Sequence, residues 1–139
     1  MRTGRTRWIV WCLRITLSSA FLSAVADRFG LWGPPGSAHV AWGDFSHFLQ
    51  YAGRVNSFAP RILIPLLAWA ATIAELALGI WLLAGPSLRW AAYSSAALLL
   101  AFALAMTLSF GVKAPLDYSV FTAAAAALAL GALSEIEKD

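Results

Sequence analysis

The chain has 139 residues, of which 60% are hydrophobic and 12% charged, with a net charge of +3. A soluble domain carries about 25% charged residues, so this composition excludes a water-solvated surface and selects the bilayer as solvent. The ten cations are scattered rather than gathered into a basic stripe, which excludes nucleic acid. Cys12 is the single cysteine, so neither an internal disulfide nor dithiol chemistry within the chain is available.

In chain order, four segments are apolar enough to approach the roughly 20 residues that cross a membrane. They fall at about 8–26, 62–84, 89–110 and 116–134, and together they make residues 1–139 a single integral membrane domain. The first holds Arg14, the second holds Glu75, and the third holds no charge. The fourth is the weakest, short and alanine-rich (TAAAAALALGAL). Breaks carry Gly/Pro punctuation at 33–36 (GPPG), Pro60, 85–86 and Pro115. Asp117 follows Pro115 and is expected to cap the fourth helix through the amides of Ser119 or Val120.

MRTGRTR followed by an apolar run and AVA at 24–26 has the outline of a cleaved signal peptide. Arg14 inside the apolar region argues against cleavage and for a retained span. The loop after it is long, and from Asp44 it reads DFSHFLQYAGRVNSF. Phe45, Phe48, Leu49, Ala52 and Val55 recur at helical spacing, which predicts a short amphipathic helix capped by Asp44 on the outer interface or over the bundle mouth; a loop packed by its aromatics is the alternative.

Four spans put both termini on one side, with Arg2, Arg5, Arg7, Arg14, Arg89 and Lys138. The other side holds Arg28, Arg54, Arg61 and Lys113. That bias places both ends in the cytoplasm. Trp8, Trp11, Trp81 and Trp90 agree, lying at the inner ends of their spans where indole favours the interface. The expected fold is therefore all-α: four transmembrane helices in an antiparallel bundle, with the amphipathic helix in the first, outer loop.

Counting inward from Trp8 puts Arg14 at roughly 9 Å depth, and counting from Leu83 puts Glu75 at roughly 12 Å. Similar depth on sequential helices predicts an intramembrane ion pair between Arg14 and Glu75. Ala68, Ala71, Thr72, Glu75 and Gly79 share one face, small enough for close helix approach, while Leu76, Ile80 and Leu83 suit lipid. Such a pair is either a lock on helix register or the mark of a proton, substrate or quinone path.

Asp27, Arg28, Lys113 and Asp117 all fall at outer span ends and form a candidate polar mouth for a quinone head group or small anion, with capping and surface pairing as the plainer explanation. His39, Asp44 and His47 match no metal-site spacing, so no metal is expected. No nucleophile elbow, P-loop, GxGxxG or CxxCH is present, and no catalytic residue is assigned.

LRITLSSAFLSAVADRFGLWGPPG (13–36), AELALGIWLLAG (74–85) and FALAMTLSFGVKAPLDYSVF (102–121) resemble the DoxX family of small bacterial inner-membrane proteins. The resemblance covers roughly residues 8–133, and matches Arg14 and Glu75, with Lys113, to that family's polar positions. It implies a multi-pass protein of the bacterial inner membrane that serves a quinone-linked redox system as accessory or subunit, beside an oxidoreductase partner, with no catalytic site of its own. The alternative from another class is a small carrier or channel for a proton or small solute, through an intra-bundle or oligomeric path.

Overall fold

A computed structural model describes residues 4–136, and among these the only regular elements are helices. Helix α1 is Gly4–Arg28, α2 is Phe45–Val55, and α3 is Ile64–Ala84, preceded by a 3-10 turn at Arg61–Leu63. Helix α4 is Leu88–Phe110, α5 is the short Lys113–Asp117, and α6 is Val120–Ile136. Three of these are long and apolar enough to cross a membrane: Gly4–Arg28, Arg61–Ala84 and Leu88–Phe110. Helix α6 is apolar but has 17 residues, roughly 25 Å, against a hydrocarbon thickness of about 30 Å.

Local chemistry explains most boundaries. Pro65 sits in the first turn of α3, where its missing N–H costs nothing. Gly85 ends that helix, its amide returning to the Trp81 carbonyl at 2.9 Å. The fourth apolar segment differs from the expected 116–134. Residues 116 and 117 belong to α5, and the chain turns at Tyr118 and Ser119, the latter with φ of 56°. Asp117 does not cap α6. It is the last residue of α5, and both its oxygens accept from Lys113 Nζ one turn earlier, at 2.6 and 2.9 Å. The cap expected at Asp44 is present: its carboxylate accepts from the His47 amide at 2.8 Å and starts α2.

The four long helices close a ring, α1 on α3, α3 on α4, α4 on α6 and α6 on α1. Close approach depends on residues without bulk. Ser18 of α1 donates to the Gly79 carbonyl of α3 at 2.6 Å. Gly131 of α6 lies against the ring of Tyr93 on α4, where a Cβ would sit 2.5 Å from Cε1. Between the helices Val10, Leu82, Ala92 and Leu130 form a dry core, all at most 2% exposed. Large apolar side chains also cover the outside, including Leu66, Ile73, Leu104 and Leu108. Leu76, Ile80 and Leu83 join them, as the helix face predicts. A belt of that kind belongs in lipid rather than water. Helix α2 packs its Phe48 and Ala52 against Ile64 and Ala68 and so lies across the ends of α1, α3 and α4.

Two outcomes follow. Gly131→Ala should drive its methyl into Tyr93 and cost about 1–3 kcal/mol, with part of the loss recovered in Gly131→Ala/Tyr93→Leu; reversible unfolding in detergent reads both. The hydrogen bond donated by the His47 backbone N–H holds the Asp44 carboxyl below its ordinary value of 3.8. A lowered pKa contributes stability above the unfolded value and loses it as pH falls through the folded one. After correction for intrinsic rates, hydrogen exchange at the first amides of α2 should therefore quicken only as the pH falls below about 4.

Candidate functional site

The site is assembled at the C-terminal end of α1. Asp27 and Arg28 are the last two residues of that helix and are both buried, at 7% and 3% exposure. They point to different tasks. Asp27 accepts three backbone amides, from Ala41 at 2.8 Å, Trp42 at 2.8 Å and Gly43 at 2.9 Å. A carboxylate with three amide donors is well compensated, and the bonds fold the 29–43 loop back onto α1. Gly43 makes that fold sterically available. Its φ is 78°, and a Cβ there would lie 2.4 Å from the Pro35 nitrogen.

The pinned loop sets Trp42 near Arg28, with its ring 5.4 Å from the guanidinium carbon, and α2 brings the Phe48 ring to 3.7 Å. Beneath these rings the guanidinium pairs through Nη2 with Glu75 Oε2 and donates through Nη1 to Thr72 Oγ1 at 2.9 Å. Thr72 in turn donates to the Ala68 carbonyl at 2.8 Å. Thr72 and Glu75 stand three residues apart on one face of α3, so a single guanidinium reaches both. The Arg28 Nε–H is fully buried and has no hydrogen-bond partner among the described residues. Aromatic faces, a carboxylate and a hydroxyl thus compensate most of one buried cation.

Arg14, expected on Glu75, is elsewhere. Its Nε donates to the Leu82 carbonyl at 2.8 Å and its Nη2 to the Leu83 carbonyl at 2.8 Å, while its guanidinium lies 4.0 Å from the Trp11 ring. It serves the last carbonyls of α3, which have no partner within the helix. Register gives the reason. Ser18 is level with Gly79. Because α1 and α3 run in opposite directions, Arg14 lies four residues to one side of that level and Glu75 four residues to the other, about 12 Å apart along the axis. The depth estimate took Trp8 as level with the end of α3, whereas Ser18 opposite Gly79 sets Arg14 level with Leu83, and α1 runs on to Arg28, carrying a cation to Glu75 from the other direction.

The candidate polar mouth is also divided. Asp27 serves the loop and Arg28 serves Glu75, while Lys113 and Asp117 pair with each other on α5, 84% and 55% exposed. His47 Nδ1 lies 2.8 Å from Asp44 Oδ1 on the surface.

Arg28 and Glu75 line a cavity of ≈ 510 Å³ between α1, α2, α3 and α4. Its walls are largely small or apolar, among them Ala71, Ala74, Phe102 and Met106. Tyr51 of α2 and Asn56, which follows that helix, add polar groups to the lining. Burial pushes the Tyr51 phenol above its usual range, with nearby Tyr118 adding to the rise, so its hydroxyl stays protonated. The Asn56 amide is committed to the Ala52 carbonyl at 3.0 Å. Trp42, Phe48 and Tyr51 went unassigned to a site in the sequence. The available signal was DR at the end of an apolar segment, with Thr72 and Glu75 on one facing stripe.

Apolar helices with an outward belt of large side chains, enclosing a cavity with a buried ion pair, define a helical membrane protein with an internal ligand-sized site. Residues 6–117 match the family model described as methylamine utilisation protein MauE, so the chain belongs to the MauE family. This corrects the resemblance to DoxX: the segments behind it are apolar runs with small residues and Gly/Pro breaks, and that pattern is set by bilayer solvation rather than by one family's chemistry. The matched region contains every residue that lines the cavity except Val120. No curated protein and no solved structure matches the chain.

Removing one member of the pair strands the other. Arg28→Gln and Glu75→Gln should each cost about 3–5 kcal/mol, and the double variant should regain much of the loss. Arg14→Gln removes two bonds to the α3 end and the contact with the Trp11 ring, leaves no buried charge behind, and should cost about 1–2 kcal/mol. Unfolding in detergent by denaturant separates these cases.

Proposed function

We propose that the protein is a four-span accessory of a bacterial inner-membrane redox system concerned with methylamine utilisation, both termini cytoplasmic, and that it holds a quinone head group in the α1–α4 cavity. The description of the family as methylamine utilisation proteins supports the system. The surplus of cations near the chain ends supports the orientation. Helix α6 completes the fourth span despite its length by local thinning of the bilayer, an adjustment of modest cost.

One observation carries the ligand reading: a buried guanidinium with an unsatisfied Nε–H lines an apolar cavity. A quinone fits that chemistry, with a flat apolar ring for the alanine walls and carbonyl oxygens able to accept from Arg28 or the Tyr51 hydroxyl. When bound it would supply two-electron redox chemistry. The chain's own part is to bind and orient the head group and to exclude water.

A through-path for protons or solutes within one chain fits less well. Toward the chain ends the bundle is closed by Leu82 and Leu130, both 0% exposed. The buried hydroxyls there, Ser18, Ser95 and Ser134, are spent on the Gly79, Ala91 and Gly131 carbonyls.

The protein purified in mild detergent should carry quinone at near one per chain, measured by extraction and mass spectrometry. Ala71→Phe, which fills the cavity wall, should remove it while leaving the protein folded. Quinone retained in Ala71→Phe, or absent from the unaltered protein, refutes the reading. Proton flux in proteoliposomes that Glu75→Gln abolishes would favour the carrier instead.

A further inference from the structure

The opposite side of α2 faces a second cleft, ≈ 810 Å³, between that helix, the 57–61 turn and the start of α3. It shares no lining residue with the α1–α4 cavity. Arg54 and Arg61 line it, with Gln50 and, as apolar floor, Leu49, Ile64 and Pro65. Ser57 also lines it, but its hydroxyl is engaged with Ser109 Oγ at 2.9 Å.

Two arginines share this cleft, and among the described residues no acid supplies them a counter-charge. The acids at this end of the bundle are all engaged elsewhere: Asp27 with three amides, Asp44 with His47, Glu75 with Arg28 and Asp117 with Lys113. No ion pair of Arg54 or Arg61 occurs among the described residues. Placement at the end of α2 gives Arg54 a favourable helix dipole. Arg61 has no such reason, since it lies in the turn that leads into α3.

The surroundings identify the missing anion. Directly after Arg61 come Ile62 and, one turn on, Leu66, 86% and 65% exposed, in the first turns of a membrane-crossing segment. The cleft thus stands where hydrocarbon gives way to water, the level at which lipid phosphates lie. A free phosphate would use the arginines and leave the apolar neighbours idle. A phospholipid uses both, with its phosphate between the guanidinium groups and its acyl chains along Ile62 and Leu66.

We infer that the cleft between α2 and the start of α3 binds the head group of an anionic phospholipid through Arg54 and Arg61. The bound lipid ties α2 to α3 from the side opposite the ion-pair cavity.

The test is native mass spectrometry of the full delipidated chain in detergent, titrated with phosphatidylglycerol, phosphatidylcholine or inorganic phosphate. Phosphatidylglycerol should bind at least tenfold more tightly than phosphatidylcholine, and millimolar inorganic phosphate should not displace it. Each of Arg54→Gln and Arg61→Gln should weaken phosphatidylglycerol about fivefold, and the double variant should bind the two lipids alike. Both side chains are solvent-exposed, so an unchanged melting temperature is expected; Arg54→Lys/Arg61→Lys, which keeps the charge, should retain most of the preference. Equal binding of the two lipids by the unaltered chain, undiminished preference in the double Gln variant, or ready displacement by inorganic phosphate would each overturn the inference.

Discussion

The arrangement rests on one buried cation. A charge left alone at membrane depth costs about 2.5–3.5 kcal/mol by insertion measurements, so the Arg28 side chain must be met by partners from several elements. Glu75 and Thr72 meet it from α3, Phe48 from α2, and Trp42 from the loop between α1 and α2. Each partner is useful only if its element is in place. The guanidinium therefore ties together α1, α2, α3 and the connecting loop, and it does so at the wall of the cavity rather than in the sealed core.

Asp27 makes this convergence achievable. The three hydrogen bonds it accepts from backbone amides hold the loop over the end of α1, and through that loop they set where α2 begins. Adjacent residues of opposite charge do not pair with each other here. One organises backbone, the other organises side chains. Helix α2 then acts as a two-sided element, with aromatics toward the cavity and Arg54 toward the second cleft. The far end of the bundle is simpler. There Arg14 satisfies the last carbonyls of α3, and close approach at Gly79 and Gly131 lets the helices seal.

The likeness to DoxX and the membership in the MauE family differ for an instructive reason. Bilayer solvation demands long apolar helices, small residues where helices touch and Gly/Pro breaks between them, whatever the protein does. Those features dominate a short chain with few charges. The few polar residues that distinguish one membrane protein from another carry little weight when segments are compared by hydropathy.

The sequence alone determined the solvent, the helical class, the approximate limits of the long helices, the Asp44 cap and the face of α3 that turns inward. All of these depend on local composition and on the 3.6-residue period. It also marked Glu75 as a residue in need of a cation. Which cation answered was a tertiary matter. Arg14 and Arg28 lie on the same helix, and only the register between α1 and α3 brings the second to Glu75 while the first meets helix-end carbonyls. The same holds for Asp27 and the polar mouth: a span-end charge looks alike in sequence whether it faces water, a neighbouring loop or a cavity. Register, loop return and the roofing helix are set by packing between segments far apart in the chain, and no local pattern encodes them.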